Sequence, residues 1–140
     1  MTLELLIRYG LIILVLLAMA IVAFVAFAVA YKKKFNEEDL KKIHDAWYKI
    51  EGYAKGDADR VFSEGDKLIG HAFELLGYKG SMADKLKEAK KNLGSDYQTM
   101  WWVHKTRNAI AHEVGYKVDD RDADRAVRIL RRVLKRLKAL

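Results

Sequence analysis

Residues 9–31 read YGLIILVLLAMAIVAFVAFAVAY. Between the two tyrosines stand only Leu, Ile, Val, Ala, Phe, Met and a single Gly, with no charge in 23 positions. As a helix rising ~1.5 Å per residue, this run spans a ~30 Å hydrocarbon core with some tilt. Tyr9 and Tyr31 fall where aromatic rings gather at the membrane–water boundary. The stretch therefore reads as one transmembrane helix, and that reading organises the rest of the chain. Lys32, Lys33 and Lys34 follow at once, with Lys41 and Lys42 close behind; ahead lie only Arg8 and the opposing Glu4. This asymmetry places the N-terminus outside and residues 32–140 in the cytoplasm, as a single-pass protein of the inner (cytoplasmic) membrane. A cleaved signal peptide is the competing reading, since Ala28-Val29-Ala30 has a small-x-small pattern. Against it, the apolar run exceeds the ~7–15 residues of a signal peptide's apolar core, and the charges lie on the wrong side.

The expected division is a membrane anchor with a basic juxtamembrane segment over residues 1–34 and a cytoplasmic helical bundle over 35–140. The chain has 140 residues and a net charge of +7, all of it carried after residue 31 because Glu4 and Arg8 cancel. About 105 residues suffice for one hydrophobic core without staples. With no cysteine, disulfides, zinc–thiolate sites and thiol catalysis are excluded. With no proline, only glycine and capping residues interrupt helices.

Past residue 35 the apolar residues recur at helical spacing. Asn36 caps a helix to Tyr53, with acids in its first turn and Leu40, Ile43, Trp47 and Ile50 along one face. Gly52 and Gly56 bracket a turn, and a second helix covers about Asp57–Leu76. Ser81-Met82-Ala83-Asp84 has the form of a capping box and opens a short helix to Leu93. Gly94-Ser95-Asp96 precedes a helix from Tyr97 to about Glu113, which Gly115 stops. Asp119 or Asp120 caps a last helix to the C-terminus, whose stripe Ala126, Leu130, Val133, Leu137 and Leu140 suits either the bundle core or a dimer seam. The expected fold is all-α: one transmembrane helix followed by a four- to five-helix antiparallel bundle with short connections. The anchor and the first bundle helix are either one rod or, as favoured here, broken near Phe35-Asn36.

The stretch WWVHKTRNAIAHE, residues 101–113, carries the chemistry. His104, Asn108 and His112 follow at four-residue steps, and Arg107 lies three after His104, so one strip of helix presents two imidazoles, a guanidinium and a carboxamide. Arg107-Asn108-Ala109-Ile110-Ala111-His112 resembles the Arg-polar-x-x-x-His motif of the HEPN superfamily, small helical-bundle domains widespread in prokaryotes, and the helix order over residues 36–140 is similar too. The resemblance implies a metal-independent endoribonuclease acting as a homodimer, with Arg107, Asn108 and His112 as the catalytic set. Other members of the family bind nucleotides without cutting RNA. Helix geometry and adjacency add His104 and Glu113 as binding residues.

The chemistry suits RNA, whose own 2′-OH attacks the neighbouring phosphate. That attack needs a proton acceptor, a proton donor and positive charge. An imidazole serves either proton role near neutral pH, and a guanidinium fork fits phosphate oxygens. Neither metal nor cofactor is called for, since the spacing offers no HExxH and no carboxylate cluster. Eight basic residues between Arg121 and Lys138 face only Asp122 and Asp124 on the last helix. Among them Arg125, Arg128 and Arg132 are expected to contact RNA phosphates or anionic inner-leaflet lipid. Trp101 and Trp102 diverge by ~100°, one toward the core and one toward an interface. The opposing reading of the motif is structural, with Arg107 paired to Glu64 or Asp66 and His112 at a helix end. The alternatives to a nuclease are a non-catalytic, membrane-anchored interaction or nucleotide-binding module, and a structural protein whose membrane helix self-associates, for which no Gly-x-x-x-Gly pattern exists.

Overall fold

The computed structural model describes residues 2–30 and 33–140 of the chain. Tyr31 and Lys32, expected at the membrane boundary, lie outside the described residues. All regular structure among the described residues is helical. The chain divides into two compact units, Met1–Lys33 and Lys34–Leu140.

The first unit is helix α1, Leu3–Ala30. Over Leu3–Ala28 it is long and apolar enough to cross a membrane, and no part of that span is buried within the protein. Twenty-six residues at ~1.5 Å each exceed a ~30 Å hydrocarbon core. Residues 33–36 are not helical, so α1 and the next helix are separate elements rather than one rod.

The second unit holds five α-helices: α2 Glu37–Tyr53, α3 Ala58–Leu75, α4 Met82–Leu93, α5 Tyr97–His112 and α6 Asp120–Arg136, with a 3-10 turn at Gly94–Asp96 before α5. Local chemistry sets their starts. The Asn36 carboxamide accepts the Asp39 N–H at 2.7 Å, and Asp39 reaches back to the Asn36 N–H. The Ser81–Asp84 capping box forms in full, and Asp119 accepts the Asp122 N–H at 2.8 Å. Each cap satisfies donors that the first turn leaves unpaired. The last helix stops at Arg136, short of the C-terminus: Lys138 takes a left-handed φ of 62°, and the Ala139 N–H turns back to the Leu134 carbonyl at 2.8 Å, which tucks Leu137 and Ala139 into the core.

Helix α3 is central and packs on α2, α5 and α6. Phe62, Ile69 and Phe73 of α3 meet Ile43 and Ile50 of α2, Met100 and Val103 of α5, and Ile129, Leu130 and Leu134 of α6 in one core, all essentially without exposure. The α3–α6 approach needs Gly65, where a Cβ would fall inside the Leu130 side chain. Ala126, Leu130, Val133 and Leu137 of the α6 stripe are buried in this core and Leu140 is half-buried, so most of the stripe packs into the bundle. An ion pair between Arg131 and Glu51 ties α6 to α2.

Candidate functional site

Three of the polar residues of α5 form a hydrogen-bonded chain that ends inside the bundle. Arg107 Nη1 donates to Asn108 Oδ1 at 3.0 Å. Asn108 Nδ2 lies 3.3 Å from His104 Nε2. His104 Nδ1 lies 3.1 Å from both carboxylate oxygens of Asp66 on α3. The direction of each bond follows from the first. A guanidinium only donates, so Asn108 must turn its oxygen to Arg107 and its NH2 to His104. Nδ1–H then donates to Asp66, and the ring is fixed by partners on both sides.

Burial grades along this chain. The His104 and Asp66 side chains are 12% and 8% exposed, while Arg107 and Asn108 are half-buried. Burial pushes the Asp66 carboxyl above its ordinary value, against the charge and hydrogen bond of His104 and the charge of Arg107. The rest of the Arg107 fork has no protein partner among the described residues. No buried side-chain nitrogen or oxygen there goes unpaired, so those N–H groups reach solvent. His112, the last residue of α5, is exposed, and so is Glu113, whose N–H closes the helix on the Ala109 carbonyl at 2.8 Å. Residues five apart on a helix diverge by about 140°. Arg107 and His112 therefore flank a strip whose middle is held by His104 and Asn108, and Arg107 folds across it toward Asn108.

Several expected roles change. His104 is committed to Asp66 and Asn108, so neither ring nitrogen is open to a ligand. Arg107 bonds neither suggested acid: Glu64 pairs with Lys67 at 3.0 Å, and Asp66 takes His104. Arg132 does not stand free on α6, because its Nε donates to Asp96 at 2.9 Å while Arg136 Nε donates to the other oxygen at 3.1 Å. Arg125 lies over the Trp102 ring, 4.4 Å from its centroid, and Arg128 is exposed. Both tryptophans are half-buried against the bundle, with Trp102 edge-on to Phe62 at 5.4 Å and Trp101 edge-on to His104 at 5.8 Å.

Asp66, named from the sequence only as an alternative partner of Arg107, enters the site through His104 instead. Its signal was present, since Phe62, Asp66, Ile69 and Phe73 follow a 4-3-4 spacing, which puts a carboxylate at a core position where only a paired one survives. Among the described residues no three His, Asp or Glu side chains converge as metal ligands. Comparison of the chain with protein-family models, curated proteins and solved structures finds no match.

Proposed function

We propose that this chain is a membrane-anchored, HEPN-like helical domain that binds RNA and cuts it without a metal, as a dimer. The observation that carries the proposal is the hydrogen-bonded chain that links Arg107, Asn108, His104 and Asp66. It spends the inner groups on positioning and leaves the outer ones free: the open N–H groups of Arg107 and the exposed His112. Arg107 holds a phosphate by its fork. Asn108, locked between Arg107 and His104, fixes that fork. His112 takes the 2′-OH proton as the oxygen attacks phosphorus. The P–O5′ bond breaks, and the His112 of a second copy gives a proton to the departing O5′. The products are a 2′,3′-cyclic phosphate and a 5′-OH. Two imidazoles are needed, one as base and one as acid. On α5 each copy brings one that is unengaged, since His104 is committed inside, and this is the reason for the dimer.

The anchor gives the location. Lys33, Lys34, Lys41 and Lys42 after α1, against Arg8 offset by Glu4 before it, favour a cytoplasmic bundle at the inner membrane with the N-terminus outside. The same basic excess suits anionic inner-leaflet lipid. The second reading is a non-catalytic binding module, favoured by the enclosure of His104 and Asp66.

The test incubates the full chain in nanodiscs with single-stranded RNA and excess chelator. Cyclic-phosphate ends are expected, with the rate falling ~100-fold or more in His112→Ala and Arg107→Ala while the melting temperature holds. Intact RNA with every variant stably folded selects the binding module. A collapse in the stability of Arg107→Ala makes that residue structural.

A further inference from the structure

A second feature lies at the other end of α5, outside the cleavage chemistry. An open groove where α4 gives way to α5 is lined by Lys87, Lys90, Lys91, Gly94 and Tyr97, with Glu88 its one acid. The three lysines are exposed. Tyr97 then starts an aromatic ladder along α5. Its ring meets Trp101 edge-on with centroids 6.3 Å apart, and Trp101 meets His104 at 5.8 Å. Steps of four and three keep these side chains on one strip, and the next step on that strip is Asn108, already bonded to Arg107. The first two rings each carry an ammonium: Lys90 lies 5.5 Å from the Tyr97 centroid and Lys105 5.9 Å from that of Trp101. Both rings are half-buried, held on one side by the bundle.

Rings in a row, flanked by mobile cations, suit a single nucleic-acid strand. Bases stack on the rings in place of the ammonium groups, which move to the phosphates. A lipid headgroup would use the charge without needing rings aligned along one helix. From this placement we infer that single-stranded RNA runs along α5, entering at the Lys87–Lys90–Lys91 groove, stacking on Tyr97 and Trp101, and delivering a phosphate to Arg107. The inference rests on the RNA reading above. It adds the path of the strand and residues that bind without taking part in cleavage.

The experiment uses the full chain in phosphatidylcholine nanodiscs and a fluorescent 2′-O-methyl oligonucleotide. That probe lacks the hydroxyl consumed in cleavage, so binding is read apart from cutting. The double variant Lys90→Glu with Lys91→Glu should weaken binding about tenfold or more and flatten its salt dependence, since each phosphate contact on a single strand contributes ~0.7 to the slope. Tyr97→Leu should weaken it at least about fivefold, the smallest stacking effect expected, while Tyr97→Phe keeps the ring and binds as the parent does. The two exposed lysines test the path even if Tyr97→Leu unfolds the bundle. Unchanged affinity in the lysine double variant overturns the inference. So does protection of Lys90 and Lys91 from amine acylation by phosphatidylserine discs but not by the oligonucleotide, which would assign the groove to lipid. Groove-dependent binding with natural RNA left uncut keeps the strand path and removes only the nuclease. Cutting without groove dependence removes only the path.

Discussion

Asp66 and Asp96 are both buried carboxylates, 6% and 4% exposed, yet they are held in opposite ways. Asp96, in the turn before α5, takes one guanidinium on each oxygen, Arg132 at 2.9 Å and Arg136 at 3.1 Å. Those guanidiniums carry permanent charge and are about half exposed, at 52% and 41%. The carboxylate gives up its water for two charge-assisted bonds while its partners keep much of theirs, an arrangement suited to tying α6 to the turn. Asp66 takes a single imidazole, itself nearly enclosed. Burial there outweighs attraction, and the carboxyl is pushed up. Its imidazole partner bonds on to Asn108 and, through it, to Arg107. The two regions thus differ: Asp96 ties α6 to the turn before α5, and Asp66 backs the polar strip of α5 on which the proposed function rests.

The largest effect expected from this contrast is on stability at Asp96. Asp96→Ala removes two charge-assisted hydrogen bonds and should cost about 2–4 kcal/mol, the upper end tempered because both arginines can rehydrate. For a domain of this size that is a fall of roughly 10–20 °C in the unfolding midpoint, read by circular dichroism of the full chain in nanodiscs. Asp66→Asn is expected to cost less, about 1 kcal/mol, because it loses one hydrogen bond but also removes a burial penalty.

The smaller effect is in pH dependence, and there the sign separates Asp66 from the exposed caps. An acid whose pKa is raised on folding binds its proton more readily in the folded state. Its contribution favours the fold at low pH and is withdrawn as pH climbs from the ordinary 3.8 through the raised value. Wild type should therefore lose ground to Asp66→Asn across that window and run parallel to it above. The cap acids Asp84 and Asp119 are lowered, chiefly by the Ser81 hydroxyl and the Asp122 N–H. Their contribution is full above 3.8 and fades as pH falls through their depressed values. Denaturant titrations of Asp66→Asn, Asp84→Asn and Asp119→Asn between about pH 2 and pH 7 would measure both slopes.

Much of the fold was legible because its signals are local. The caps at Asn36, Ser81 and Asp119, the glycine punctuation and the three-and-four spacing of Ile43, Trp47 and Ile50 need no tertiary knowledge, and the helices begin where those residues direct. The end of α6 was not legible, since a lysine in the left-handed region at 138 is set by burial of Ala139 and not by any breaker. The site was half legible. The α5 motif stood out as a polar strip, but its division into an enclosed half and an open half depends on Asp66, 38 residues before His104. Arg132 shows the same gap, since on α6 it reads as free charge and only the fold brings Asp96 against it.

The most direct test of this division compares Asp66→Asn and Asp96→Asn by the rate of RNA cleavage per folded molecule, with kcat and KM separated. The account predicts that Asp66→Asn lowers kcat ~10–100-fold, as loss of positioning does, with KM near its parent value and the unfolding midpoint only about 5 °C lower, and that Asp96→Asn keeps the parent kcat while losing much more of its stability. Parent-like cleavage by Asp66→Asn, or loss of cleavage from still-folded Asp96→Asn, would contradict it.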